Sequence, residues 1–211
     1  MGERPPFEPV PITLTGAHVR LEPMRVAHAE DLFAVGADAS LWDYFPYLPC
    51  ESLESTRAYC AEVVAEAEAG LAVPFAVIDL AGGRAVGSTR FFDIRREHRS
   101  FEIGHTWYGK AAQGTVINTE AKLLLLTCAF ERWGAIRVQF KTDARNERSQ
   151  KAMERFGAKY EGSLRNHLIM PDGHFRTSVF YSVTEDEWPA VRERLARLLA
   201  EREAQGERSE R

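Results

Sequence analysis

Residues 101–141 constrain the fold more than any other part of the chain, because they predict two strands joined by a long helix. Phe101–Trp107 has the composition of a strand, and TEAKLLLLTCAFERW at residues 119–133 predicts a helix that Gly134 ends. Ile136–Lys141 follows as a short strand rich in β-branched and aromatic residues. Strands connected through a helix are typically parallel.

On both sides of this unit the sequence predicts antiparallel hairpins and flanking helices. Two turns, at residues 81–84 and 171–173, lie between strand-like segments. The remaining predicted strands are Ala17–Glu22, Val73–Leu80, Ala85–Ile94, Ala158–Ile169 and Phe175–Val183, and the remaining helices lie near Ala27–Gly36, Ser52–Ala69, Arg148–Phe156 and from Asp186 onward. We therefore expect an α+β fold with a central mixed, mostly antiparallel β-sheet flanked by helices.

Length and charge restrict the class of protein. A chain of 211 residues suits a single domain over residues 1–211, with an N-terminal extension at 1–11 and a frayed, charged tail at 204–211. The net charge is −4 with both signs interspersed, which argues against nucleic acid or a membrane surface as a partner. Three cysteines without metal-binding spacing and the lack of a long apolar segment favour a cytoplasmic protein.

Several familiar catalytic signatures are missing from the sequence. It contains no GxSxG, HExxH or GxxxxGK[ST] pattern, and its six histidines have no metal-ligand spacing. Serine hydrolases, zinc proteases and P-loop nucleotide hydrolases therefore have no support, and we expect no metal.

The loop that precedes the long helix predicts a phosphate-binding site. The first amides of a helix have no partner within the helix, and the helix dipole adds partial positive charge there. Gln113–Thr119 would present such amides if the helix begins at Asn118 or Thr119. An ordinary capped helix start explains the same residues, and the spacing of Asn146 and Ser149 is also typical of an N-cap and first turn.

Two segments resemble the acetyl-CoA-binding half of GNAT N-acetyltransferases of the RimJ/RimL-like branch. They are EIGHTWYGKAAQGTVINTEAKLLLLTCAFE and IRVQFKTDARNERSQKAMERFGAKYEGSLRNH, and the similarity extends over Pro11–Trp188. The resemblance implies that the strands Phe101–Trp107 and Ile136–Lys141 splay apart, with the pantetheine arm of acetyl-CoA between them and its pyrophosphate on the loop amides. The cofactor-binding residues that it implies are Trp107, Gln113, Gly114, Thr115, Val116, Ile117, Asn118, Thr119, Asn146 and Ser149.

The loop departs from the family pattern at two positions. Val116 and Asn118 stand where the family has small residues, and a β-branched side chain strongly resists positive φ. We expect Val116 to keep a negative φ and to direct its side chain into the core. The alternative is weakened CoA binding.

The resemblance also implies acetyl transfer to a primary amine, with Ser149, Glu102 and His167 as candidate catalytic residues. Ser149 would assist the leaving thiolate, because the position of the tyrosine acid used by many GNAT enzymes holds Met153. Either Glu102 or His167 would be the general base, although structural roles explain both residues equally well.

Strand alternation and amine chemistry complete the predicted site. Alternation places Glu102, Gly104 and Thr106 on one face of their strand and His105 on the other.

The ionisation of the acceptor amine favours one class of substrate. Because an α-amine is roughly one-third neutral at pH 7.5 and a lysine amine only about 0.1%, we expect a low-pKa α-amine of a protein N-terminus or small molecule as the acceptor.

The sequence leaves the acceptor pocket and some alternatives open. The segments expected to shape the pocket, Leu41–Pro49 and Gly162–Phe175, carry no motif. A non-catalytic acyl-CoA-binding module and a transferase of another acyl group such as succinyl are the alternatives to acetyl transfer. A homodimer formed through sheet edges or the last helix is compatible with the sequence.

Overall fold

The computed structural model describes residues 4–48 and 50–209, with side chains through residue 206. Pro49, residues 1–3 of the predicted extension and residues 210–211 of the predicted tail lie outside the described residues. The strands are β1 (Leu14–Thr15), β2 (Val19–Pro23), β3 (Val73–Asp79), β4 (Arg84–Arg95), β5 (Ser100–Tyr108), β6 (Arg137–Asp143), β7 (Lys159–Ile169) and β8 (Phe175–Thr184). The α-helices are α1 (Ala29–Gly36), α2 (Leu53–Glu68), α3 (Val116–Thr127), α4 (Glu147–Phe156) and α5 (Trp188–Ser209).

The strands form one mixed sheet in the order β1-β2-β3-β4-β5-β6-β8-β7. Neighbours are antiparallel except β5 and β6, which are parallel and connected through α3. The predicted α+β fold and its single parallel crossover are confirmed. The sequence did not predict β1, since two residues are too few for an alternating pattern to be visible.

β5 and β6 separate soon after they meet. They pair only where Ser100–Glu102 lies beside Arg137–Gln139, whereas β5 continues to Tyr108 and β6 to Asp143. Beyond the last pair, β5 bonds to β4 and β6 to β8. The sheet therefore contains a wedge-shaped opening, here named the β5–β6 gap, which widens toward the C-terminal ends of both strands.

Helices cover both faces of the sheet. On the α3 face, α3, α4 and α5 bury a large cluster that includes Phe91, Phe101 and Val138. On the opposite face, the α1–α2 face, a smaller cluster includes Leu32 and Tyr59. Each large apolar side chain buried in this way contributes about 1.5–3 kcal/mol, so the cluster on the α3 face, which includes residues of both β5 and β6, holds these two strands in place.

α3 begins at Val116, two to three residues earlier than predicted. The hydroxyl of Thr115 caps it by accepting a hydrogen bond from the Ile117 amide at 3.3 Å. The positive φ of this turn, 80°, falls on Gly114, so the predicted negative φ of Val116 is confirmed. Its side chain is only half-buried, however, and Ile117 is the residue that enters the core.

α5 packs antiparallel to α3 over almost its whole length. Trp188 donates a hydrogen bond to Glu131 near the end of α3, and Arg202 donates one to the Gly114 carbonyl just before its start. Residues 204–209, which belong to the predicted frayed tail, are helical and form the end of α5. α5 is 22 residues long but strongly charged, and none of the described helices has the apolar length needed to cross a membrane.

Candidate active site

The loop before α3 lies at the wide end of the β5–β6 gap and is held from two sides. The Gln113 side chain donates to the Tyr108 carbonyl at 2.8 Å and accepts from Arg148 of α4 at 2.6 Å. Gly114, whose carbonyl accepts from Arg202, has open space where a Cβ would stand. The N-terminal amides of α3 are thus accompanied by two guanidinium groups, an arrangement suited to a phosphate anion.

α4 begins beside the same end of the gap, directly after β6. Asn146 is its N-cap, since the side-chain oxygen accepts from the Ser149 amide at 3.0 Å. Asp143 holds the connecting turn through the Arg145 amide at 2.8 Å. Ser149 is half-buried, and its hydroxyl forms no hydrogen bond with the described residues, which leaves it available to a ligand.

A β-bulge at His105 changes which side chains of β5 share a face. Gly104 pairs with Arg90 and Trp107 with Ser88, so three steps along β5 oppose two along β4, and His105 takes φ 48°. The predicted alternation is therefore wrong beyond Gly104. His105 lies on the α1–α2 face, as Glu102 does, whereas Thr106 lies on the α3 face.

Contacts on both faces agree with this assignment. His105 packs on Phe92 with ring centroids 4.7 Å apart, and it is hydrogen-bonded to Tyr47. The Thr106 hydroxyl meets the Thr89 hydroxyl at 2.8 Å on the opposite face. Burial, together with nearby positive charges, lowers the pKa of His105 to about 3, so its imidazole is neutral at physiological pH.

Glu102 lies at the closed end of the gap. It is 3% exposed, accepts from Gln139 at 2.9 Å and lies 3.4 Å from the Lys141 ammonium. Burial raises the pKa of Glu102, although Lys141 and Gln139 act in the opposite direction. A buried carboxylate with a raised pKa and one hydrogen-bonded orientation can accept a proton near neutral pH.

A cavity of about 440 Å³ lies between the two segments expected to shape the acceptor pocket. Its lining is formed by Ala39, Trp42, Asp43, Tyr44, Phe45, Leu48, Arg145, Met170, Pro171 and Asp172. Arg176, only 5% exposed, donates to the Tyr44 carbonyl at 3.0 Å. The cavity thus adjoins the start of α4 through Arg145 and is connected to β8 through Arg176.

Residues 18–159 match the family model described as an acetyltransferase (GNAT) domain. The match extends from the start of β2 to the start of β7 and includes the gap, the loop before α3 and the cap of α4. The chain belongs to the GNAT acetyltransferase family. It is therefore an acyltransferase, and its family uses acetyl-CoA and an acceptor.

Solved structures agree with this assignment. A candidate acetyltransferase from T. thermophilus is 39% identical, with a TM-score of 0.81 over 90% of this chain and 99% of that chain. A GCN5-related N-acetyltransferase from Brucella melitensis is 26% identical, with a TM-score of 0.85 over 93% and 89% of the two chains. Mycobacterium smegmatis RimJ in complex with CoA-disulfide, 24% identical with a TM-score of 0.79 over 91% and 96%, shares the fold. No curated protein matches the chain.

The GNAT fold separates the two candidate bases. His167 lies on β7 at the sheet edge, where its Nδ1 is hydrogen-bonded to the Ser178 hydroxyl at 2.9 Å. β8 stands between β7 and β6, which places His167 about 10 Å from the strand that borders the gap. Burial, followed by the charges of Lys141 and Arg176, lowers its pKa. Glu102 is the candidate that lies at the gap itself.

The Trp107 side chain is buried among the helices of the α1–α2 face. Its ring lies on the α1–α2 face, 4.9 Å from that of Trp42 in an edge-on contact. The side chain is 4% exposed, so only the Trp107 backbone is placed to meet a molecule in the gap.

Sequence reasoning missed three polar side chains near the site, Lys122, Arg176 and Tyr47. Lys122 left a signal, because it lies four residues before Leu126 within the apolar stripe of α3, where a charge is unexpected. Arg176 and Tyr47 left none, since each lies in a segment whose burial depends on distant parts of the chain.

Proposed function

We propose that this GNAT enzyme transfers the acetyl group of acetyl-CoA to a primary amine, preferably a low-pKa α-amine at a protein N-terminus or in a small molecule. The amine attacks directly while donor and acceptor are both bound. The observation that carries the proposal is the buried Glu102 carboxylate beside the β5–β6 gap, where it accepts a hydrogen bond from Gln139 at 2.9 Å. Arg176 links the gap to the cavity, because it bonds to Tyr44 in the cavity wall and lies within electrostatic reach of Glu102.

The donor would occupy the gap from its wide end. Gln113–Thr119 would hold the pyrophosphate, with Arg148 and Arg202 adding positive charge beside the loop. The unpaired edges of β5 and β6 would bond to the pantetheine arm, with Asn146 and Ser149 beside its sulfur. The Trp107 backbone contributes to that edge.

In the proposed reaction, Glu102 and Ser149 each have one role. The amine nitrogen attacks the thioester carbonyl carbon, the carbon–sulfur bond breaks, and the CoA thiolate leaves. Glu102 accepts the proton that the amine loses, directly or through water. Ser149 donates a hydrogen bond to the thiolate, which needs only modest help because an ordinary thiol has a pKa of about 8.5.

The carbonyl oxygen gains negative charge during the attack and needs a fixed donor. Backbone amides of β5 beyond Glu102 have no partner on β6, so the edge of β5 that faces the gap can supply one. Amides fixed in a sheet are already oriented toward the developing charge, which is the main advantage of an oxyanion hole.

The proposed α-amine preference is tested with two matched peptides. One has a free N-terminus and no lysine, and the other has an acetylated N-terminus and one internal lysine. We expect kcat/KM to be at least about tenfold higher for the first, since far more of its amine is neutral at pH 7.5. Efficient acetylation of the lysine peptide alone would contradict the preference.

A donor series separates acetyl transfer from its alternatives. Acetyl-CoA should support faster turnover than succinyl-CoA with the same amine. Tight binding of acetyl-CoA without turnover of any amine in a broad panel would favour a non-catalytic acyl-CoA-binding module instead.

A further inference from the structure

Lys122 carries its ammonium group to the floor of the β5–β6 gap. It projects from α3, and its Nζ lies 3.4 Å from the Thr106 hydroxyl and 5.6 Å from the centre of the Phe140 ring. Thr106 belongs to β5 and Phe140 to β6, so the ammonium lies between the two strands at the level where they no longer pair.

The fold leaves this charge without an ionic partner. Lys122 is 8% exposed, and among the described residues no carboxylate lies within 4.0 Å of its Nζ. On α3, the neighbouring Glu120 is bound to backbone amides of residues 17–19, and on β5 Glu102 points to the opposite face. Burial alone lowers the pKa of Lys122 to about 7.

A buried ammonium of this kind is costly unless something accepts its hydrogen bonds. An ammonium has three donors and no acceptor, and the Thr106 hydroxyl accounts for one of them at a long distance. The ring of Phe140 adds a weak electrostatic attraction. Two donors therefore remain for an oxygen that the described chain does not provide.

We propose that Lys122 binds the pantetheine arm of acetyl-CoA, with its ammonium donating a hydrogen bond to an amide carbonyl oxygen of the arm. The inference rests on the proposed function, because it requires the donor to lie in the β5–β6 gap. The backbone of Lys122 lies about 9 Å along the axis of α3 from Val116, where the pyrophosphate would sit. Its Nζ lies against Thr106 and Phe140, in the part of the gap that the arm would occupy. The arm is uncharged there, and its hydrogen-bonding groups include amide carbonyls.

The test compares two ligands by titration calorimetry without any acceptor amine. Acetyl-CoA contains the arm, whereas adenosine 3′-phosphate 5′-diphosphate, the arm-free nucleotide, keeps the 3′-phosphate and the pyrophosphate and lacks the arm. In Lys122→Met the apolar length of the side chain is kept and the ammonium is removed. We expect its Kd for acetyl-CoA to rise at least tenfold while its Kd for the arm-free nucleotide changes less than twofold.

Lys159→Met is the matched control, since Lys159 is an exposed lysine at the start of β7, is paired with Glu187, and is separated from β6 by β8. It should bind both ligands as the wild type does. Equal affinity of Lys122→Met and wild type for acetyl-CoA would overturn the proposal, and so would an equal loss for both ligands, which would indicate a damaged loop. If the wild type bound neither ligand, the proposed function itself would fail.

Proton uptake by the wild-type protein tests the same contact without depending on whether a variant folds. A carbonyl that accepts from Lys122 favours its charged form, so acetyl-CoA binding at pH 8 should take up a fraction of a proton. The binding enthalpy would then depend on the ionisation enthalpy of the buffer. The arm-free nucleotide should show a smaller dependence, and equal dependence for both ligands would contradict the assignment of Lys122 to the arm.

Discussion

Glu120 and Lys122 lie two residues apart on α3 and both carry a charge into the protein, yet their surroundings differ. Glu120 is 4% exposed and accepts from the amides of Ala17, His18 and Val19 at 2.7–2.8 Å. Lys122 has the Thr106 hydroxyl at 3.4 Å and no ionic partner in the described chain. A buried charge whose hydrogen-bond partners all belong to the protein stabilises the fold. A buried charge with N–H donors that have no acceptor indicates where a ligand binds.

The turn between β1 and β2 is built around the Glu120 carboxylate. A Cβ at Gly16 would lie 2.4 Å from the carboxyl carbon of Glu120, so only glycine allows the backbone to approach this closely. Three backbone amides converge on the carboxylate there. This part of α3 is scaffold, and the next inward-facing charge along the helix belongs to the proposed site.

Glu120→Ala should produce the largest effect of the changes that test this comparison. It leaves three amides without an acceptor, so we expect the free energy of unfolding to fall by about 3–5 kcal/mol, or roughly 10 °C in Tm. Denaturant unfolding measures the loss. Glu193→Ala, at an exposed position of α5, is the control and should change stability by less than about 0.5 kcal/mol. An undiminished stability of Glu120→Ala would remove the scaffold role.

Glu102→Gln tests a buried charge that is only partly satisfied by the fold. With Glu102 as the base, kcat should fall about 100-fold, near the lower end for general bases because an α-amine is partly neutral already. Since burial raises the pKa of Glu102, the acidic limb of kcat/KM should lie above the ordinary carboxylate range and disappear in the variant. Ser149→Ala should keep that limb. A limb that persists in Glu102→Gln would assign the proton transfer to another group.

Lys122→Met should increase the free energy of unfolding near pH 6.5, whereas Glu120→Ala should decrease it. The pKa of Lys122 is about 7 in the folded protein and about 10.4 in an unfolded chain, so the unfolded state binds more protons between these values and wild-type stability gains from rising pH. The variant lacks this gain. It should be more stable than wild type at pH 6.5, and its advantage should shrink by up to about 1.4 kcal/mol for each pH unit above 7. Urea unfolding at pH 6.5, 8 and 9.5 measures this, and parallel pH dependences would contradict it.

Ser149→Ala should give the smallest effect. Its hydroxyl, like the Lys122 ammonium, is left available by the fold, but it needs only to help a thiolate that leaves readily. We expect kcat to fall three- to tenfold with little change in KM for acetyl-CoA. A fall of less than threefold, measured with saturating amine, would exclude Ser149 from assisting the leaving group.

Most of the fold was predictable because local patterns and long-range pairing agree. The strand, helix and strand of residues 101–141 contain their own periodicity and stop signals, and these define the crossover. The start of α3 was missed because Thr115 and Asn118 are both good N-cap residues, and only the contact of Thr115 with the Ile117 amide decides between them. The helical end of α5 depends on its contact with α3, which no local pattern records.

The site was less predictable, since its geometry depends on distant contacts. The bulge at His105 reverses the alternation of β5. Gly104 within the strand is a local hint of a bulge, but it does not show that the extra residue is His105. The resemblance located the loop before α3 and the cap of α4. It did not indicate Arg176, whose role emerges only when β8 meets the loop around Tyr44.

The β5–β6 gap also gives the sheet two internal edges, in addition to those at β1 and β7. Free strand edges ordinarily invite another protein strand and so favour aggregation. Here α3 lies beneath the opening and the two strands meet at one end, so a slender flexible chain fits between them more easily than a second strand. A ligand that fills the opening would hydrogen-bond to both free edges, as a further strand would. At a concentration of 100 times its Kd, it would add about 2.7 kcal/mol to the free energy of unfolding.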